Sequence, residues 1–178
     1  MSSRPEITAD LTAMLRKYLN PHNDTRVYIA REVTFDYYSM HPIRVDYMRF
    51  KPLNNTVSGI EHGDFYCYEV KSSIADFHSK NGHNFIGDFN YYVMQENVFE
   101  AVKPEIPYFV GVMVPSGDRW NPLKIAKKAK RRDRERPASL MLFMMWRSFA
   151  RDETKEERNR ERTDEGEDYA VSAETACR

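Results

Sequence analysis

The segment 66–80, YCYEVKSSIADFHSK, constrains the fold of this chain more than any other. Its first half is aromatic and β-branched, the composition of a strand, and side chains in a strand alternate between the two faces of a sheet. Tyr66, Tyr68 and Val70 therefore share one face, and Cys67, Glu69 and Lys71 share the other. The first face reads as core and the second as chemistry. The second half places Asp76 three residues after Ser73, the Ser-x-x-Asp form of a capping box. A strand carrying Glu and Lys on one face thus feeds a helix, predicted to start at Ser72-Ser73 and run towards Lys80 until Asn81-Gly82 stops it.

The elements around it alternate. Residues 7–19 space Ile7, Leu11, Met14, Leu15 and Leu19 as one face of an amphipathic helix. Residues 26–35 and 43–50 read as strands joined by a turn around His41-Pro42, and 51–64 is rich in turn residues. A short strand over 90–94, a short helix ending before Pro104 and an apolar strand ending at Pro115 follow. Residues 137–151 are apolar nearly all round, which predicts a well-buried closing helix. Strands alternating with helices predict an α/β fold, a central mixed β-sheet of about five strands flanked by helices.

With 178 residues, 41% of them hydrophobic, the chain has enough apolar surface for one folded domain, placed here at 1–151. From 152 to 178 the sequence holds ten acids against five bases and few apolar residues, and predicts a disordered acidic tail. The formal net charge of zero hides an asymmetry, because 124–136 holds eight Lys or Arg against two acids. That run fits either an edge strand followed by a charged loop or one exposed helix. There is no run of eighteen apolar residues and no signal-peptide pattern, so the expectation is a cytoplasmic protein with no membrane partner. Two cysteines, Cys67 and Cys177, do not make a disulfide framework. His62, Cys67, His78 and His83 lack Cys-x-x-Cys or His-Glu-x-x-His spacing, so zinc is not expected.

Glu-x-Lys by itself is common on half-exposed strands, where its ordinary meaning is a surface ion pair worth under about 1 kcal/mol. The upstream strand adds Asp46, and two neighbouring strands can bring Asp46 and Glu69 together. A carboxylate pair of that kind suits Mg²⁺, which takes one or two carboxylates and keeps waters and phosphate oxygens in its other positions. Lys71 then lies where it can orient or deprotonate a water, or stabilise charge on phosphorus.

Asp46 followed by Glu69-Val70-Lys71, after a helix and a strand, resembles the PD-(D/E)XK nuclease superfamily, and within it the MmcB-type DNA-repair nucleases and related phage and prophage proteins. The likeness rests on REVTF (31–35), RVD (44–46), YEVKSSIADFHSK (68–80), NYYVM (90–94) and IPYFVGVMVP (106–115). It implies a restriction-endonuclease-like core and a Mg²⁺-dependent DNA endonuclease, with Mn²⁺ as a substitute. It further implies that Asp46, Glu69 and the Val70 carbonyl hold the metal, that Lys71 is the catalytic lysine, and that Glu32 assists. Many members of the superfamily cut as dimers, which leaves a homodimer open. Lys80 and, in the basic run, Lys124, Lys127, Lys128, Lys130, Arg131 and Arg132 are the candidates for contacting the DNA backbone. The alternative is a catalytically inactive nuclease fold that binds nucleic acid or assembles with a partner.

Overall fold

A computed structural model describes residues 3–155. Helix α1 (Arg4–Leu19) comes first, opened by the Glu6 carboxylate, which accepts the Ser3 N–H at 2.7 Å, and buries Leu11, Leu15 and Leu19. The sheet follows as β1 (Tyr28–Phe35), β2 (Ile43–Lys51), β3 (Asp64–Lys71), β4 (Phe89–Met94), β5 (Gly111–Pro115) and β6 (Leu123–Lys127). Strand order equals chain order: β1, β2 and β3 form an antiparallel meander, β4 and β5 join parallel, and β6 closes antiparallel. Short helices α2 (Val57–Glu61), α3 (Ile74–Phe77) and α4 (Glu96–Val102) lie in the connections, and a helix over 138–155, here α5, ends the described chain. The architecture is a six-stranded mixed α/β sheet covered on both faces. Among the described residues no helix is long and apolar enough to cross a membrane.

One face of the sheet packs on α1 through Tyr47, Tyr68, Val93, Met113 and Leu123. The other packs on α5 through Phe35, Met48, Phe50, Phe65 and Cys67, and on α3 and α4 through Tyr92, Met94 and Val112. Two layers of cover correct the expectation of a core face and a chemical face on β3. Glu69 and Lys71 are only 4% and 3% exposed, because their face carries its own helices.

Strands β1 and β2 change phase halfway along. Ala30, Met48 and Phe50 share a core cluster with Val33, Phe35 and Val45, residues of opposite parity. The slip sits at Glu32, whose φ of +48° is in the left-handed region, and the β1–β2 pairs Arg31 with Tyr47 and Val33 with Val45 leave Glu32 and Asp46 between them. A side chain held there costs about 1–2 kcal/mol, and such strain collects at functional sites.

Four expectations change. The strands number six, the sixth being the first part of the basic run, which settles as an edge strand followed by a loop. Helix α3 stops at Phe77 instead of reaching Lys80. Half of its capping box forms: Ser73 Oγ accepts the Asp76 N–H at 3.1 Å, but the Asp76 carboxylate accepts the N–H of Ser72 at 2.9 Å in place of that of Ser73, and the Asp76 carbonyl accepts from Ser79 Oγ, the Ser79 N–H and Lys71 Nζ. A continuing helix would give that carbonyl to the N–H four residues on. Helix α5 is not well buried: Phe143, Trp146 and Phe149 are 54%, 67% and 45% exposed, since only its Ala138, Met141, Met145 and Ser148 side meets the sheet. It also crosses the boundary placed after Arg151, with Asp152 accepting from Arg31 Nε at 2.9 Å. The expected disordered tail otherwise lies outside the described residues.

Candidate active site

Asp46 and Glu69 meet because β2 and β3 are antiparallel neighbours. Their ladder runs from Lys51 opposite Asp64 to Tyr47 opposite Tyr68, and one step further would set Asp46 opposite Glu69. The ladder ends there. At the phase slip the Asp46 carboxylate turns to β3 and accepts the Val70 N–H through Oδ2 at 2.9 Å. Three acids, Glu32, Asp46 and Glu69, so occupy one level of three adjacent strands.

Burial dominates the electrostatics. It raises the Asp46 carboxyl above its ordinary value, opposed by the Val70 N–H, Arg44 and Lys71, with Glu32 adding to the rise. The Glu69 carboxyl is pushed up to about 8, first by burial and then by the charge of Asp46, against the pull of Lys71, a hydrogen bond from Asn84 and Arg44. The Lys71 ammonium is lowered by burial, opposed by Asp76, Glu69 and Asp46. These groups are coupled through space, as the alternation on β3 and the adjacency of β2 lead one to expect.

Glu69 Oε1 is buried and has no hydrogen-bond partner among the described residues. Buried polar atoms are almost always satisfied, so an orphaned carboxylate oxygen marks a place for something the polypeptide does not supply. A proton or a cation answers that description. Among the described residues no group of three or more His, Cys, Asp or Glu side chains gathers as a metal cage. The Asp46–Glu69 pair fits an ion of the Mg²⁺ kind, which needs few protein ligands, and does not fit a structural zinc site, which needs four.

Access is divided. A cleft of about 390 Å³ between α1 and α5 is walled by Glu32, Asp46 and Val70 together with Thr8, Thr12 and Lys155, and its walls do not include Glu69 or Lys71. The segment 81–84 covers those two. Lys71 Nζ donates to the carbonyls of Asn81 (2.5 Å) and Asp76 (3.3 Å), and Asn84 Nδ2 donates to the Arg44 carbonyl at 2.8 Å. Gly82 packs so closely that a Cβ there would stand 2.9 Å from both Glu69 Oε2 and Lys71 Nζ, and its φ of +72° suits glycine. Sequence reasoning reads Asn81-Gly82 as a helix stop; their place over the acid pair comes from a tertiary contact without a local signal. Asn84, Thr8, Thr12 and Lys155 escape sequence reasoning for the same reason.

The basic run is largely engaged within the molecule. Lys124 pairs with Glu96 at 3.0 Å, and Lys127 Nζ donates to the Pro107 carbonyl at 2.8 Å. Arg131 meets Asp64 at 3.2 Å and Asp88 at 3.6 Å, while Arg132 stacks 4.3 Å over Phe109. Arg134 meets Asp88, a carboxylate only 1% exposed, at 3.2 Å, and Arg136 meets Asp36 at 2.6 Å. These contacts make 131–136 a strap across the sheet. Lys80, Lys128 and Lys130 are the exposed cations of the expected set that form no ion pair among the described residues, Lys130 lying 5.2 Å over Tyr108.

No family profile and no curated protein matches the chain. In structure it is similar to a protein of unknown function from Silicibacter pomeroyi, with a TM-score of 0.57 and 17% identity over 85% of this chain and 90% of that one. At that identity the likeness speaks for a shared fold alone.

Proposed function

We propose that this chain is a metal-dependent phosphodiesterase acting on DNA, built on a restriction-endonuclease-like core. The observation that carries the reading is the buried, unpartnered Glu69 Oε1 beside Asp46, with Lys71 two residues further on the same face. The order of elements supports it: a helix, a strand, a strand with Asp46, a short helix, a strand with Glu69-Val70-Lys71, then a capped helix. Asp46 and Glu69 would hold Mg²⁺ or Mn²⁺, with the Val70 carbonyl beside them. When bound, the ion supplies charge neutralisation at phosphorus and an acidified water.

The chain's own residues do the rest. Asp46 is oriented by the Val70 N–H, so its carboxylate keeps one direction towards the cleft. Lys71, its ammonium made more acidic by burial, can give or take a proton at Nζ more readily than an exposed lysine. To reach a phosphate it must exchange its bond to the Asn81 carbonyl, so displacement of 81–84 belongs to productive binding. Glu32 stands at the cleft wall, where it can accept from a water.

A second reading draws on that same clamp. A lysine 3% exposed and bonded to two carbonyls is also what a nuclease-like fold kept as a non-catalytic nucleic-acid-binding module would show. Cleavage of a labelled panel (plasmid, single strand, mismatch, flap, four-way junction) with Mg²⁺ or Mn²⁺, wild type against Lys71→Ala, separates them. Metal-dependent cutting lost in the variant is the expected result. Binding without cutting on every substrate would transfer the conclusion to the second reading.

A further inference from the structure

The α1 face of the sheet carries a second cleft, of about 650 Å³, between the end of α1, the tyrosines of β3 and β4, and the segment leading into β6. Because side chains alternate along β3, Tyr66 and Tyr68 point into it while Cys67, Glu69 and Lys71 face the other way. The cleft is therefore separate from the acid pair, and its ligand is independent of the proposed phosphodiesterase.

Its wall combines two chemistries. Tyr66 and Tyr91 contribute partly buried rings to an aromatic wall, Tyr66 stacking on Phe89 at 4.8 Å and 12° and Tyr91 on Tyr68 at 5.7 Å and 17°. Trp120 stands at the rim, 80% exposed. Cations supply the other chemistry. Arg49 lies 5.4 Å over the Tyr66 ring and is held there by its Nε, which donates to the Leu19 carbonyl at 3.1 Å. Lys17 lies 5.8 Å over Trp120, anchored on the Arg119 carbonyl, and His22 joins them. Among the described residues no Asp or Glu lines the cleft.

Aromatic faces recognise a flat ring, and arginine and lysine without acidic neighbours recognise an anion. A large exposed tryptophan next to Lys17 and a guanidinium fixed over Tyr66 line the same cleft, in a volume within the range of small-molecule sites. We propose that this cleft binds a nucleotide unit, its base stacked on Trp120 against the tyrosine wall and its phosphate on Arg49 and Lys17. Free nucleotides and single strands share that unit.

Calorimetric titration of the full chain in EDTA, which silences divalent ions at the acid pair, tests it with adenosine 5′-monophosphate, adenosine, inorganic phosphate and a short single-stranded oligoadenylate. The monophosphate should bind saturably, and adenosine or phosphate alone at least about tenfold more weakly. Trp120→Ala, at an exposed position, should weaken the monophosphate by about tenfold, and Arg49→Met should do so while keeping the apolar stem. If the oligonucleotide alone binds and both variants weaken it, the unit is one within a strand and the assignment holds. Absence of binding by both probes, binding unchanged in both variants, or phosphate alone binding as tightly as the monophosphate would overturn it.

Discussion

Replacing Glu69 by Gln keeps the volume of a buried side chain and removes its titration. The wild-type carboxyl has its native pKa pushed up to about 8, against an ordinary value of 4.5. Below the lower value both native and unfolded chains are protonated and the group's contribution is fully present. As pH rises through the window the unfolded chain releases a proton that the native state retains, so stability falls, and the loss is complete above the native pKa. At about 1.4 kcal/mol per pH unit the full span corresponds to roughly 4–5 kcal/mol, a large share of a domain's 5–15 kcal/mol. Urea denaturation in EDTA between about pH 5 and about pH 8 should show this loss in the wild type and a flatter profile in Glu69→Gln. Mg²⁺ should restore stability to the wild type at the alkaline end, by about 2.7 kcal/mol at one hundred times its dissociation constant, and leave the variant unchanged. Equal pH profiles for the two proteins would refute the reasoning, because the buried Glu69 carboxyl could not then be titrating there.

Gly82→Ala should destabilise the fold by at least about 1–2 kcal/mol in the same assay, since it adds a left-handed non-glycine backbone to a Cβ placed 2.9 Å from Glu69 Oε2 and Lys71 Nζ. Arg134→Ala should cost about 1–3 kcal/mol, as it removes one of the two arginines that meet the buried Asp88 carboxylate and leaves Arg131 and the Phe65 N–H. The paired variant Lys128→Ala with Lys130→Ala should leave denaturation unchanged and weaken DNA binding with a shallower salt dependence. Unchanged stability in Arg134→Ala would contradict the strap.

What was legible in the sequence was what local chemistry dictates. Leu11, Leu15 and Leu19 announce α1, Ser73 and Asp76 announce the cap of α3, and the alternation of Tyr66 to Lys71 places Glu69 and Lys71 on one face. The candidate pair Asp46–Glu69 was readable because adjacent antiparallel strands bring such residues together. Long-range contacts hid the rest. The length of α3 depends on Lys71 and Ser79 capturing the Asp76 carbonyl, and the slip at Glu32 leaves no local mark, since Ile29, Val33 and Phe35 share one parity yet Ile29 packs on the α1 side and Val33 and Phe35 on the α5 side. The basic run looked like a surface for phosphate because the acids that meet Arg136, Arg131 and Arg134, namely Asp36, Asp64 and Asp88, lie 100, 67 and 46 residues away from them. The exposed aromatic side of α5 reads as core in one dimension, since apolarity alone does not say how many layers cover a helix.

The most direct test of the central claim, that Asp46 and Glu69 together hold a divalent cation, is a calorimetric Mn²⁺ titration near pH 7 in buffers of different ionisation enthalpy. The wild type should bind the ion and release protons, because the raised Glu69 carboxyl must ionise to become a ligand. Asp46→Asn should lose most of that affinity. Binding of equal strength in the variant, or binding without proton release, would contradict the site.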